Sequence, residues 1–117
     1  NTNANTNNNN ISLLDGLKTI ARESSMWISA GGIHLVAERN EDGSAKRVYN
    51  AHLILDNRGH VLCQYNKIHL FDVSIPGKVE LKESATTAPG KKLVVCDSPL
   101  GKLGLSTCYD MRFPEMY

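Results

Sequence analysis

From Ile11 onward the apolar residues Leu13, Leu14, Leu17, Ile20 and Ala21 recur at helical spacing, with Asp15, Lys18, Arg22 and Glu23 on the opposite face. The pattern predicts a helix over residues 12–24 carrying one apolar stripe. Directly behind it the sequence turns β-rich, in Met26-Trp-Ile-Ser-Ala-Gly-Gly-Ile-His-Leu-Val-Ala-Glu38. A stripe that needs covering, followed at once by a strand largely buried around Trp27 and Ile28, amounts to half of an α/β layer. The paired Gly31-Gly32 predicts a bulge or a close backbone approach within that strand.

Two further strands follow in the same rhythm. A polar turn over Arg39 to Lys46 leads into Arg47–Asp56, and the tighter turn Asn57-Arg58-Gly59 leads into His60–Lys67, so the three strands form a meander. From Ile68 to Pro89 the periodicity lapses, and Pro76-Gly77, Thr86-Thr87 and Pro89-Gly90 punctuate what reads as a long loop, an unusual feature that is often functional. Leu93–Cys96 and Leu103–Thr107 read as the last two strands, joined by the turn Ser98-Pro99-Leu100-Gly101, with a helix starting near Arg112. Residues 1–10 hold seven Asn, two Thr and one Ala, a low-complexity composition expected to be disordered.

Length and charge narrow the function classes. At 117 residues with 41% hydrophobic content the chain is about one domain. Thirteen basic against twelve acidic residues, with no basic run longer than Lys91-Lys92, leave no electrostatic footprint for nucleic acid or an anionic membrane, and neither is expected as a partner. No apolar stretch has the length of a membrane span, and the beginning of the sequence lacks the parts of a signal peptide. The expected location is therefore cytoplasmic, with mitochondrial as the alternative. Three widely spaced cysteines, Cys63, Cys96 and Cys108, argue against a disulfide framework, and Asn10-Ile11-Ser12 carries little weight as a glycosylation acceptor.

The residues able to carry chemistry are few. Cys108 follows the apolar run Leu103 to Leu105 at a strand-to-turn junction, where backbone N–H groups favour a thiolate; the commoner reading of a lone Cys is a small buried hydrophobe. Lys67 ends a strand in Tyr65-Asn-Lys-Ile-His-Leu-Phe-Asp72: beside a thiol its ammonium supports a thiolate and an oxyanion, while alone it reads as a solvated strand end. Glu83, in Leu81-Lys-Glu-Ser84, could orient such a lysine or simply face solvent. His34, His52, His60 and His69 show no metal-ligand spacing, so no metal and no other cofactor is expected. Three residues separate Cys108 from Arg112, too few for the Cys-x5-Arg phosphate loop of tyrosine phosphatases.

Taken together, Tyr65–Asp72, Ile75-Pro-Gly-Lys with Glu83-Ser84 and Pro89-Gly90 behind it, and Gly104-Leu-Ser-Thr-Cys-Tyr-Asp-Met-Arg-Phe-Pro-Glu115 resemble the nitrilase (carbon–nitrogen hydrolase) superfamily over residues 11–117. The resemblance is to its Nit branch, which holds the Nit domain of Nit–Fhit fusions, deaminated glutathione amidase and omega-amidase. It implies an incomplete α-β-β-α sandwich with a mixed, largely antiparallel sheet, residues 11–117 being a partial domain. It implies a Glu–Lys–Cys site with Cys108 as nucleophile, Lys67 as the oxyanion-stabilising lysine, Glu83 as the second glutamate supporting Lys67, and the Tyr109 backbone N–H completing the oxyanion hole. The implied reaction is hydrolysis of a small carboxylate-bearing amide through a Cys thioester. The implied parent is a homo-oligomer, in some members fused to a Fhit-like domain.

One position departs from the pattern. The family's general-base glutamate precedes the 12–24 helix, where this sequence has Asn1 to Asn10, and Glu23, Glu38 and Glu41 fall in other elements. The expectation is an inactive partial amidase. The alternatives are a non-catalytic module that pairs through exposed sheet edges or helix faces, and a structural α/β fragment with no activity of its own.

Overall fold

The structure, a computed structural model, describes residues 12–117; the Asn-rich segment expected to be disordered lies outside the described residues. Helix α1 spans Leu13–Ser24. Ser12 caps it, its Oγ accepting the Asp15 N–H at 3.2 Å, and Ser25 closes it in the left-handed conformation, its N–H returned to the carbonyls of Ala21 and Arg22. Strands β1 (Ile28–Arg39), β2 (Ala45–Leu55) and β3 (Val61–Asn66) form an antiparallel sheet in the order β1-β2-β3, the meander expected from the sequence.

Strand periodicity decides what each face of this sheet meets. Ala51, Leu53 and Leu55 of β2 point to α1 and pack with Ala21, Ile33, Leu14 and Leu17. The intervening Ile54 points to the other face, where it clusters with Tyr65, Cys96, Leu105 and Trp27. Residues 53–55 are thus buried in succession because the sheet is covered on both sides. The Gly31-Gly32 pair is the expected bulge: Gly31 lies opposite His52, Ile33 opposite Ala51, and Gly32 between them has a φ of +79°. The extra residue changes phase, so that Ile28 and Ala30 before it and Ile33 and Leu35 after it all face the helix. Trp27 and Ile28 are half-buried rather than deeply enclosed. At the β2–β3 turn the buried Gly59 (φ +78°) lies so close to the Lys18 carbonyl of α1 that a side chain there would collide with it.

The segment 68–89 is not the structureless loop its sequence suggests. Strands β4 (Asp72–Ile75) and β5 (Val79–Lys82) pair as a hairpin around Pro76-Gly77, and a 3-10 turn at Glu83–Ala85 follows. Four-residue strands with mostly exposed side chains leave no alternation to read, which is why only the turn residues were visible. Beyond the turn, Val48 donates to the Thr86 carbonyl at 3.0 Å and accepts from Ala88 at 2.8 Å, a short parallel bridge that anchors the segment to β2.

Strands β6 (Val95–Ser98) and β7 (Gly101–Gly104) form a second hairpin around the expected turn, shifted from the predicted 93–96 and 103–107 because the tight Pro99-Leu100 turn sets the register rather than the apolar runs. The expected helix near Arg112 is instead a 3-10 turn running from Cys108 to Arg112, with a second at Pro114–Met116. Helix, three-stranded sheet and apposed hairpin make an incomplete α-β-β-α sandwich, with largely antiparallel pairing. Among the described residues no helix is long and apolar enough to cross a membrane.

Candidate active site

The sheet face that meets Ile54 also presents the polar groups of interest. In β3 the period of two carries Cys63, Tyr65 and Lys67 to one side, and the register places Cys63 opposite Ile54 and Tyr65 opposite His52. The pairing extends one step past the strand: the Lys67 N–H donates to the Asn50 carbonyl at 2.9 Å, and the Lys67 carbonyl accepts from Gly90 at 2.8 Å. Lys67 is only 2% exposed, against the solvated strand end that its position allowed.

A buried ammonium needs a counter-charge, and Glu83 supplies it. Lys67 Nζ donates to Glu83 Oε2 at 2.7 Å, the Phe71 N–H donates to the same oxygen at 2.7 Å, and Asn50 Nδ2 donates to Oε1 at 3.3 Å. Burial alone would push the Glu83 pKa up, but the bonds from Lys67, Phe71 and Asn50 outweigh it and hold the carboxyl below its ordinary range. Glu83 opens the 3-10 turn, and the Thr87 N–H returned to the Glu83 carbonyl at 2.9 Å fixes the backbone beneath it.

Cys108 is exposed, not the buried hydrophobe that a lone cysteine usually is. Its φ of +52° places a residue with a Cβ in the left-handed region, a strained setting common at functional turns. The turn is held from below by Asp110, whose Oδ2 accepts the Thr107 N–H at 3.0 Å. Lys67, Glu83 and Cys108 line one open cleft of about 390 Å³, with Asn50 and Lys82 as further polar walls and Phe71 and Leu81 as apolar ones. Cys108 also borders a second, smaller depression of about 240 Å³ with Tyr109, Met111 and Arg112. The Tyr109 ring sits edge-on to Phe71 and to Phe113, at centroid distances of 5.0 and 5.4 Å.

The three residues singled out in sequence thus share a cleft, although they lie on three different elements. Sequence reasoning missed Asn50, Tyr65 and His69, and gave Asp110 no role. Their signal is cross-strand register and a contact over more than forty residues, neither of which a local pattern displays. Glu23, Glu38 and Glu41 do not line the cleft, and Glu38 pairs instead with Arg47 at 3.3 Å. Three histidines are taken up in hydrogen bonds elsewhere: His52 with Ser29 and the Ser106 carbonyl, His60 with Asp56, and His69 with Asp110.

The sequence model of the carbon–nitrogen hydrolase family matches residues 2–117. The chain belongs to the carbon–nitrogen hydrolase family. Among relatives, this carbon–nitrogen hydrolase chain is 49% identical over 106 residues to the deaminated glutathione amidase of Dictyostelium discoideum, covering 90% of the chain and 35% of that protein. It is 37% identical over 100 residues to the omega-amidase of Homo sapiens, covering 86% of the chain and 34% of the relative. The solved structure of Caenorhabditis elegans NitFhit superposes with a TM-score of 0.76 at 42% identity, over 90% of this chain and 25% of that one. The carbon–nitrogen hydrolase chain therefore spans about a third or less of the length of these relatives.

Proposed function

We propose that this chain carries the nucleophile, the lysine and the second glutamate of an amidase. In that reading the Cys108 thiolate attacks the amide carbonyl carbon, and Lys67 Nζ and the Tyr109 N–H receive the oxyanion. Collapse with protonation of the nitrogen releases ammonia and leaves a thioester, which water hydrolyses to the carboxylic acid and the free thiol. The observation that carries the reading is the shared cleft, where an exposed, strained cysteine meets a buried lysine fixed by a carboxylate. A small amide bearing a carboxylate is the substrate class. Two observations support it: the names of the amidase relatives, and Lys82, which adds a cationic group to the cleft wall. The NitFhit relative, a nitrilase and fragile histidine triad fusion, supports a parent protein with a fused Fhit-like domain.

Both halves of the reaction need a proton carrier. Among the described residues Glu83 is the carboxylate on the cleft, and three donors already occupy it and hold it ionised, which suits it to orient Lys67 rather than to shuttle protons. On this reading no described carboxylate on the cleft serves as general base, and the isolated 117 residues are expected to turn over at least about a hundredfold more slowly than a complete enzyme, in line with the usual worth of general base catalysis. Ammonia release from small ω-amides and from deaminated glutathione, measured for this chain and for one extended in both directions to the length of its relatives, tests the proposal. Turnover confined to the longer chain and abolished by Cys108→Ala is the expected result. Comparable turnover by the short chain would overturn the assignment of a missing base, and turnover surviving Cys108→Ala would overturn the nucleophile.

One observation favours a second reading, a non-catalytic module that pairs through its exposed faces. An apolar groove of about 350 Å³ runs between Trp27, just ahead of β1, with Ile28 and Ile54 of the sheet, and Leu100 and Leu103 of the β6–β7 hairpin. A stable, monodisperse complex through that face, together with an unreactive Cys108, would select this reading over the amidase.

A further inference from the structure

Asp110 has no exposed surface, and its carboxylate is a four-way junction. Oδ2 accepts the Tyr65 hydroxyl at 2.6 Å and the Thr107 N–H at 3.0 Å, while Oδ1 accepts the His69 N–H at 2.9 Å and lies 2.9 Å from His69 Nδ1. The Tyr65 oxygen in turn accepts the Ile68 N–H at 3.1 Å. Tyr65, Ile68 and His69 flank Lys67 on both sides, and Thr107 immediately precedes Cys108. A single carboxylate thereby ties the segment that carries the lysine to the turn that carries the cysteine, across a sequence separation of 41 to 45 residues.

We propose that Asp110 is a positioning residue, setting where Cys108 Sγ stands against Lys67 Nζ. The proposal rests on the reading of Cys108 as nucleophile and Lys67 as its cationic partner. A carboxylate is a costly way to gain stability alone, because a buried charge is favourable only when its bonds are nearly complete. Here they are complete, and every one of them ends on a residue within two positions of Lys67 or Cys108. The left-handed backbone of Cys108 also needs a neighbouring constraint, and the Thr107–Asp110 bond straddles it. Stacking of His69 on Phe113, with centroids 3.6 Å apart, braces the same junction from the far side of the turn.

Charge and position make opposite predictions, which renders the proposal testable. A negative carboxylate two residues from a thiol opposes the thiolate through space, so loss of its charge alone would speed alkylation of Cys108. Loss of positioning would slow it, by taking the sulfur away from Lys67. The other charged groups on the cleft, Lys67, Lys82 and Glu83, are unchanged in both variants. The experiment is iodoacetamide labelling of the 117-residue chain near neutral pH, quantified at Cys108 by peptide mapping, with amide hydrogen exchange of β1–β3 as the control for folding.

Asp110→Asn is expected to slow labelling about tenfold, with β1–β3 protection retained. Tyr65→Phe, which keeps the carboxylate, is expected to slow it in the same direction. In a Lys67→Ala background Asp110→Asn adds no further slowing, because its effect passes through the lysine. An unchanged or faster rate in Asp110→Asn with an intact sheet would overturn the proposal, as would additive slowing in the double variant. If Asp110→Asn loses the sheet, Tyr65→Phe decides: slowing supports the proposal and a wild-type rate overturns it. Labelling needs no substrate, so failure of the amidase reading shows separately, as missing turnover in the extended chain.

Discussion

Lys67 and Asp110 are opposite charges buried on the same side of one sheet, and each is tolerated because it is bonded locally, Lys67 to the Glu83 carboxylate and Asp110 to Tyr65, His69 and Thr107. Burial would raise the Asp110 pKa, but bonds from Tyr65, His69 and Thr107 outweigh it and hold the carboxyl low, as Lys67, Phe71 and Asn50 do for Glu83. The linkage follows in sign. Groups whose folded pKa lies below the unfolded value contribute stability that is full above the ordinary carboxylate range, about 4, and lost as pH falls through the folded values. Chemical denaturation at stepped pH should show stability level from neutral pH down to that range and falling below it, with Asp110→Asn flattening the fall. Cys108, Lys67 and Glu83 were recognisable as candidates in sequence because each sits in a run that resembles a family motif. Asn50 and Asp110 were not, because Asn50 acts through strand pairing with Lys67 and Asp110 through a contact to residues 65–69, and neither relation leaves a local trace.

At the scale of elements, the helix and the meander were legible, the helix from the long apolar stripe of α1 and the meander from apolar runs parted by the polar turns at 39–46 and 57–59. The β4–β5 hairpin was not, since two four-residue, mostly exposed strands bury too little to impose a pattern. The shifted β6 and β7 make the same point from the other side, for there a turn overruled the apolar runs. The Gly31-Gly32 bulge was visible in sequence, but its purpose was not: it re-phases β1 so that Ile28, Ala30, Ile33 and Leu35 share the helix-facing side. Deleting Gly32 makes Gly31 opposite His52 and Ile33 opposite Ala51 consecutive pairs, so Ile28, Ala30, Ile33 and Leu35 should keep the helix-facing side and stability should change by less than about 1 kcal/mol. Urea denaturation measures it, and a loss of about 3 kcal/mol or more, the size expected for emptying a packed core, would contradict this reading of Gly32 as the extra residue.

For the molecule as a whole, both faces of the sheet are covered, but the hairpin on the face opposite α1 leaves apolar surface exposed. Val95 is 62% exposed and Leu100 92% exposed on the second hairpin, beside the groove lined by Trp27 and Ile54. Apolar surface of this kind binds hydrophobic dyes and other copies of the chain. Fluorescence of an anilinonaphthalene dye should rise on adding the folded chain, sedimentation should show association that grows with concentration, and Leu100→Lys should reduce both. The site stands on the sandwich layer rather than on that groove, so Leu100→Lys should leave Cys108 chemistry unchanged.

The central claim is that Cys108 and Lys67 belong to one assembled site, and site-resolved alkylation of the three cysteines tests it most directly. Cys96 is buried, and burial with Cys63 beside it pushes its pKa up to about 11. The folded chain near neutral pH should label first at Cys108 and scarcely at Cys96, and Lys67→Ala should slow the Cys108 reaction about tenfold while leaving Cys63 unchanged. A Cys108 rate that does not respond to Lys67→Ala in a folded chain would contradict the account.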